Sequence, residues 1–229
     1  MSYRLKEYPD RDMMMMDVAN TMAGALNEAV MVNGSASLAV PGGSTPGPIF
    51  DVLCAADIDW SKVTILPSDE RWVPEGSEHS NARLIRERLL VERAAAAQFM
   101  PLYREGADGP QSVAAMSEEL TPFLPLSVAV LGMGGDMHTA SLFPGEAALR
   151  PDARHDENQH VHFVKTPGLA PKVSRMTLTV PVLNGAMSKH IVITGADKKA
   201  ALAEAAHLND PYQAPICAVL SGATVHWAE

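Results

Sequence analysis

Short apolar runs alternate with segments of helical periodicity along most of the chain. This alternation is typical of α/β proteins with a mostly parallel sheet. We therefore expect an α/β fold with a Rossmann-like, open, mostly parallel sheet flanked by helices, and with room for a small extra lobe. Strands are predicted over Ser37–Val40, Val63–Leu66, Val128–Leu131, His162–Lys165, Met176–Val180, His190–Thr194 and Thr224–Trp227.

The segments between these runs are predicted as helices, and 229 residues suit one well-filled domain spanning residues 1–229. Asp10 or Asp12 is suited to cap the first helix, and Ser80 or Asn81 the third, because their side-chain oxygens accept hydrogen bonds from free N–H groups. Pro46 suits the first position of the second helix. The predicted helices are Met13–Val32, Pro46–Ala56, Asn81–Ala97, Ala114–Phe123 and Asp197–Leu208.

Four unusual motifs each follow a predicted strand directly. In a parallel sheet the carboxyl ends of the strands share one edge, where ligands bind. The four motifs are therefore expected to meet in one cleft. They are GGSTP at Gly42–Pro46, SDER at Ser68–Arg71, GGDMH at Gly134–His138 and TGADK at Thr194–Lys198.

The GMGGDMH segment suggests a proton-transfer group beside an anion site. Its glycines, Gly134 among them, let the backbone turn sharply and approach a ligand closely. A helix is predicted to begin near Thr139, and its positive end would attract an anion and favour the neutral imidazole of His138. His138 is therefore the candidate general base, and Asp136 would cap the helix or orient a side chain.

The GGSTP motif suits a phosphate cradle built from backbone N–H groups and hydroxyls. Gly42 and Gly43 allow a tight turn, while Ser44 and Thr45 supply the hydroxyls. The motif is neither a Walker A loop nor a dinucleotide fingerprint. The alternative is an ordinary strand-to-helix turn with a capping Ser or Thr.

Two sets of charged residues are further candidates for binding an anion. Along an extended segment Asp69 and Arg71 share one side, so Arg71 would clamp an anion or an oxyanion while Asp69 orients Arg71 or His138. Lys172 and Arg175 lie in a proline-rich loop that could close over a phosphate. For both sets the alternative is a solvated surface charge of little energetic value.

Composition excludes several classes of partner. The net charge of −9 argues against broad contact with nucleic acid or an anionic membrane, so an anionic ligand needs a local site. No apolar stretch is long enough to cross a bilayer, and the first residues are too polar for a signal peptide. Cys54 and Cys217 are far apart in apolar surroundings, which favours free thiols and a cytoplasmic location.

No metal site is predicted. His155, His160 and His162 lie close together in the sequence, but their spacing matches no zinc template, and no cysteine or suitably spaced set of carboxylates accompanies them.

The motifs together resemble those of the 6-phosphogluconolactonases. GGSTP, SDERWVP followed by SNARL, GMGGDMHTASLFP and RMTLTVPVLNGA occur in that family's order and spacing over roughly residues 37–195, and the tail HWAE is similar. The resemblance implies the fold of the glucosamine-6-phosphate deaminases. It also implies hydrolysis of a small phosphorylated sugar lactone, 6-phospho-D-glucono-1,5-lactone, in the oxidative pentose phosphate pathway, with no metal or organic cofactor.

The resemblance also implies roles for individual residues. His138 would take a proton from the water that attacks the lactone, and Arg71 would bind the phosphate or the tetrahedral oxyanion. Asp69 would be an orienting residue. The positions expected near the substrate, mainly near its phosphate, are Gly42, Gly43, Ser44, Thr45, Gly134, Lys172 and Arg175.

One position departs from the family pattern. The pattern G-x-D-G-H has glycine where this chain has Met137. A side chain now stands where the backbone would approach the substrate. We expect either that Met137 points into the fold or that the pocket is narrower.

Two other functions are compatible with parts of this pattern. A sugar-phosphate isomerase or deaminase of the same fold would carry an F-N-E-P type sequence after its histidine, where this chain has Thr139–Pro144, and an Asp-Glu-Tyr type motif in place of DERWVP. A non-catalytic sugar-phosphate sensor would need a DNA-binding or partner domain, and no basic helix-turn-helix is evident. The two motif differences from the deaminases favour the lactonase.

Overall fold

A seven-stranded parallel sheet forms the centre of the molecule, in a computed structural model that describes residues 2–153, 156–165 and 172–229. Its strands are β1 Arg4–Glu7, β2 Ala36–Val40, β3 Val63–Pro67, β5 Gln98–Phe99, β6 Val128–Leu131, β9 Ser188–Thr194 and β10 Thr224–Ala228. Their order is β1-β10-β9-β6-β2-β3-β5, with every pairing parallel. The Rossmann-like sheet is therefore confirmed.

A second sheet of three antiparallel strands lies beside it: β4 Asp69–Arg71, β7 Val161–Val164 and β8 Arg175–Leu178. The strand predicted over Met176–Val180 begins and ends earlier, because Val180 and Pro181 start a helix and Pro cannot donate to a strand ladder. The strand β4 was not predicted, since three charged residues in a row lack an apolar pattern.

The helices cover both faces of the large sheet: α1 Arg11–Asn33, α2 Gly47–Leu53, α3 Asn81–Arg88, α4 Gly109–Leu120, α5 Val180–Asn184, α6 Ala196–Leu208 and α7 Cys217–Leu220. Asp10 caps α1, its carboxylate accepting a hydrogen bond from the N–H of Met13 at 2.7 Å. None of the described helices is long and apolar enough to span a membrane.

Three helices have a boundary that differs from the predicted one by three residues or more. The predicted helix Asn81–Ala97 ends at Arg88, because Val91 is extended and Glu92, the first residue of a short 3-10 helix, has a φ of 50°. The second helix begins at Gly47, one residue after Pro46, and ends at Leu53. The fourth begins at Gly109, where Asp108 caps its first turn.

Two apolar clusters pack on the faces of the large sheet. One contains α1, α2 and α3 with the sheet residues Leu38, Ile65 and Val130. The other contains α4, α6 and α7 with Leu66, Leu131 and Ile191 of the sheet. Because consecutive residues of β2, β3 and β6 are buried on opposite faces, the loops after these strands start from a rigid platform.

Candidate active site

A cleft of about 220 Å³ opens at the carboxyl ends of β2, β3, β6 and β9. All four motifs found in the sequence contribute to it, as the geometry of a parallel sheet requires. The lining residues that bear on the chemistry are Gly42, Gly43, Thr45, Asp69, Arg71, Asn81, Gly134, His138, Arg175, Thr194 and Lys198.

The segment after β6 is a series of tight turns, so the helix predicted to begin near Thr139 is wrong. Met137 and Ala140 have φ angles of 66° and 48°, in the left-handed region, which ends any helical course. Thr139 and Leu142 exchange backbone hydrogen bonds instead, and the Thr139 hydroxyl donates to the carbonyl of Gly132 at 2.9 Å. No helix dipole therefore acts on His138 from this segment.

The ring of His138 contacts a carboxylate and occupies space that a side chain on Gly134 would fill. Its Nδ1 lies 2.5 Å from Oδ1 of Asp136, and the two side chains are 27% and 35% exposed. A Cβ on Gly134 would overlap the imidazole ring and the Asp136 carboxylate. Burial acts to raise the pKa of Asp136, but the hydrogen bond and charge of His138 hold it below its usual value.

Arg71 and Arg175 stand directly opposite each other on the antiparallel strands β4 and β8. Arg175 is 5% exposed, and its guanidinium lies over the ring of Phe143 at 5.4 Å. Burial, and then the charge of Arg71, lowers the pKa of Arg175. Within the described residues, the buried Nε atoms of both arginines have no hydrogen-bond partner. Two guanidinium groups therefore lie close together, and among the described residues the one ion pair they make is that of Arg175 with Asp69.

Asp69 is bound by hydroxyls, contrary to the expected contact with Arg71 or His138. Ser141 donates to its Oδ2 at 2.6 Å and Ser68 to its Oδ1 at 3.2 Å. The nearest cation is Arg175, whose Nη1 is 3.9 Å from Oδ2. In this arrangement Asp69 connects β4 to the turn after His138.

Glu70 and Asn81 join β4 to the start of α3. The buried Glu70 carboxylate accepts hydrogen bonds from the N–H groups of Asn81 and Ala82, each at 2.7 Å. Burial raises the pKa of Glu70, although these N–H groups act in the opposite direction. Asn81 was predicted as a possible helix cap, but its amide contacts Arg71, and a local sequence pattern cannot reveal that contact.

Lys198 also lines the cleft, although no individual role was predicted for it. Its ammonium group donates to the carbonyl of Met133 at 2.7 Å, from the first turn of α6. Burial lowers its pKa, although the charge of Asp136 opposes this. Its place in the TGADK motif, directly after a strand, was the available signal.

Not every residue expected near the substrate lies in the cleft. Ser44 and Lys172 are exposed and are not among the lining residues, and residues 166–171, just before Lys172, lie outside the described part of the chain. Met137 points into the fold, where it packs against the apolar core, so the cleft is not narrowed by it. Neither Ser44 nor Lys172 is placed with the other candidates.

The histidines considered as metal ligands form no such site in the described residues. His155 lies outside them. Elsewhere in the described ranges no group of three or more His, Cys, Asp or Glu side chains is arranged to hold a metal ion.

The chain as a whole is similar to proteins of one known family. A model of the family described as glucosamine-6-phosphate isomerases/6-phosphogluconolactonase matches residues 9–227. The 6-phosphogluconolactonase of Rhizobium meliloti is 39% identical over 217 residues, which are 92% of each chain. The crystal structure of a 6-phosphogluconolactonase from Shewanella baltica is 34% identical, with a TM-score of 0.92 over 100% of this chain and 98% of that one.

A monomeric glucosamine-6-phosphate deaminase of the NagB superfamily is 14% identical and has a TM-score of 0.82, over 99% of this chain and 97% of that one. This likeness shows a shared fold, as the resemblance in the sequence implied. With the family match over nearly its whole length and relatives above 30% identity, the chain belongs to the glucosamine-6-phosphate isomerase/6-phosphogluconolactonase family.

Proposed function

We propose that this chain hydrolyses 6-phospho-D-glucono-1,5-lactone to 6-phospho-D-gluconate, a step of the oxidative pentose phosphate pathway. The observation that carries the proposal is a single cleft containing both a carboxylate-bound histidine and two opposed arginines. The substrate has the two matching groups, a lactone ester and a phosphate. The relatives of similar length, all named 6-phosphogluconolactonase, support the same reaction.

The phosphate would bind between Arg71 and Arg175. Like charges directly opposite on paired strands repel each other, and a dianion placed between them removes that repulsion. The backbone of Gly42 and Gly43 and the hydroxyl of Thr45 line the same cleft and would add further donors.

His138 would act as the general base. Asp136 accepts the hydrogen of Nδ1, which assigns the free lone pair to Nε2. Nε2 removes a proton from water as the water oxygen bonds to lactone C1, giving a tetrahedral oxyanion. When the bond between C1 and the ring oxygen breaks, Nε2 returns that proton to the ring oxygen. The carboxylic acid that forms ionises and releases one proton to solvent.

Asp69 would act indirectly in this mechanism. Its carboxylate accepts a hydrogen bond from the hydroxyl of Ser141, three residues after His138, and lies near Arg175. It would therefore hold the turn after the base and the cationic pair in one arrangement. A cytoplasmic location is part of the proposal, supported by two buried free thiols.

The test is hydrolysis of freshly prepared 6-phosphogluconolactone, followed by proton release above the spontaneous rate. Wild type is compared with His138→Ala, and with His207→Ala as a control because His207 is exposed on the last turn of α6. Wild type and His207→Ala should accelerate hydrolysis equally, and His138→Ala should be slower by about 10²–10⁴-fold.

Each part of the proposal can fail separately. No acceleration by wild type would overturn the lactonase assignment, and ammonia release from glucosamine 6-phosphate would replace it with the deaminase. Equal acceleration by wild type and His138→Ala would leave the lactonase in place but remove His138 as its base.

A further inference from the structure

Asn81 makes an unusual set of contacts for a residue at the first position of a helix. It is 2% exposed, and its amide oxygen accepts a hydrogen bond from Nη1 of Arg71. Its amide nitrogen donates to the backbone carbonyl of Asp69 at 2.7 Å. The side chain therefore forms hydrogen bonds both to the backbone of Asp69, at the start of β4, and to the guanidinium of Arg71, at the end of β4.

An amide satisfies both contacts, because its oxygen accepts and its nitrogen donates. The guanidinium of Arg71 needs an acceptor, whereas the carbonyl of Asp69 needs a donor. A carboxylate would leave that carbonyl unpaired and an apolar side chain would satisfy neither partner, which is costly in a buried setting.

The amide also leaves the charge of Arg71 uncompensated. Both neighbouring carboxylates are engaged elsewhere, Asp69 with Ser141 and Glu70 with the N–H groups that begin α3. In the described part of the chain no ion pair reaches Arg71. A neutral tether thus holds the guanidinium in place while its positive charge stays available for an anion.

The same side chain links Arg71 to the GGSTP loop. A Cβ on Gly42 would overlap the Asn81 amide, so the loop backbone lies directly against it. Asn81 therefore contacts two of the parts that line the cleft, the cationic strand and the glycine-rich loop.

From these contacts we infer that Asn81 is a positioning residue that holds Arg71, uncompensated, toward the phosphate of the substrate. The inference rests on the proposed function. It predicts that a carboxylate at this position weakens phosphate binding by pairing with Arg71, even where the fold is retained.

The test substitutes Asn81→Asp, which changes the charge and the donor with almost no change in size. The dissociation constant of 6-phosphogluconate is measured by titration calorimetry, together with kcat and KM for the lactone. The dissociation constant and KM are expected to rise about tenfold or more, with kcat changing less, because a phosphate contact acts on binding.

Asn184→Asp is a matched control. The Asn184 amide also accepts from a cation, Lys189 at 2.5 Å, and donates to a backbone carbonyl, that of Ala218 at 2.7 Å, but it lies outside the cleft. Its kinetics and product binding should equal those of wild type. An equal loss in both variants would show a general effect of the charge change and would overturn the inference.

A double-mutant cycle tests whether Asn81 acts through Arg71. In an Arg71→Gln background, Asn81→Asp should weaken product binding by less than about twofold, because the partner is already gone. If Asn81→Asp does not fold, Asn81→Ala, which lacks the carboxylate, is taken through the same cycle. Equal effects with and without Arg71 would overturn the inference for either variant.

The outcomes separate this inference from the proposed function. A wild type that neither hydrolyses the lactone nor binds the product removes the proposed function. A wild type that does both, with Asn81→Asp unchanged within twofold, removes only the role of Asn81.

Discussion

Histidines occur in two contrasting regions of this protein. His138 is at the edge of the sheet, partly exposed, with Asp136 on one ring nitrogen. His190 and His226 are beneath α1, 5% and 2% exposed, and their rings are hydrogen-bonded to each other at 3.0 Å. The first region has one nitrogen free for a reacting proton, whereas the second has none.

The buried pair belongs to a longer chain of hydrogen bonds. Tyr8 approaches Nδ1 of His226 at 2.7 Å and donates to Asp17 at 2.6 Å, and Lys6 pairs with Asp17 at the surface. At the other end Ser188 meets Nε2 of His190 at 2.8 Å. This chain of hydrogen bonds joins α1, β9, β10 and the segment after β1, so its role is to hold these elements of the fold together.

The contrast shows that the surroundings of a histidine side chain decide its role. A histidine with a carboxylate on one nitrogen and open space at the other can exchange protons with a substrate. A histidine with both nitrogens bonded inside the core contributes to stability instead. The experiments below test this division, beginning with the largest expected effect.

His226→Ala should lower the free energy of unfolding by about 4 kcal/mol, because it leaves a cavity and strips Tyr8 and His190 of a partner. Lactone turnover per folded molecule should not change. Urea unfolding measures the first quantity and initial rates at low temperature the second. A loss of kcat without a loss of stability would contradict the division between the two regions.

The stability of the protein should fall as the pH drops from about 6.5 to 4. Burial, and then the charge of His190, lowers the pKa of His226 from 6.5 to about 4. The folded state holds it neutral while the unfolded state takes up a proton, so stability is full above pH 6.5. About 3 kcal/mol should be lost by pH 4.

Urea unfolding across this range would measure that slope. The variant His226→Leu removes the titrating group, so its stability should vary less with pH than that of wild type. A slope of the same steepness in the variant would assign the effect to another group.

Gly134→Ala should lower kcat about 30-fold, equivalent to about 2 kcal/mol, because the new Cβ displaces the His138 ring. Gly135→Ala is the matched control, since a Cβ there meets only the Lys198 ammonium at 4.0 Å. Both variants should unfold at the wild-type temperature. Equal activity of the two variants would show that the ring does not depend on the space at Gly134.

Tyr8→Phe should cost about 1 kcal/mol of stability, since it removes one hydroxyl that binds both His226 and Asp17. The rate of lactone hydrolysis should stay at the wild-type value. Thermal unfolding in parallel with His226→Ala would measure the loss of stability. A loss as large as that of His226→Ala would mean that the tyrosine hydroxyl, and not the histidine pair, contributes most of the stability of this hydrogen-bond chain.

Much of the cleft could be predicted because it follows from strand order alone. Gly42, Arg71 and His138 each come shortly after an apolar run, and a parallel sheet brings such positions to one edge. The site roles assigned to them remain predictions.

What could not be predicted depends on contacts between distant segments. The turn at Met137 is held by the N–H of Ile216, which donates to the Met137 carbonyl at 3.0 Å, so a locally plausible helix does not form. The burial of Asp69 against Ser141, 72 residues away, likewise has no trace in the local pattern. Local periodicity carries no information on either contact.

The position of β10 has a consequence for how the protein is made. It is the last strand of the chain, yet it lies between β1 and β9, and among the described strands β1 pairs with it alone. At about 5–20 residues per second, a ribosome would leave β1 without its partner for roughly 10–45 seconds. Loss of residues 224–229 would remove β10 and expose the edges of β1 and β9, so these residues complete the sheet.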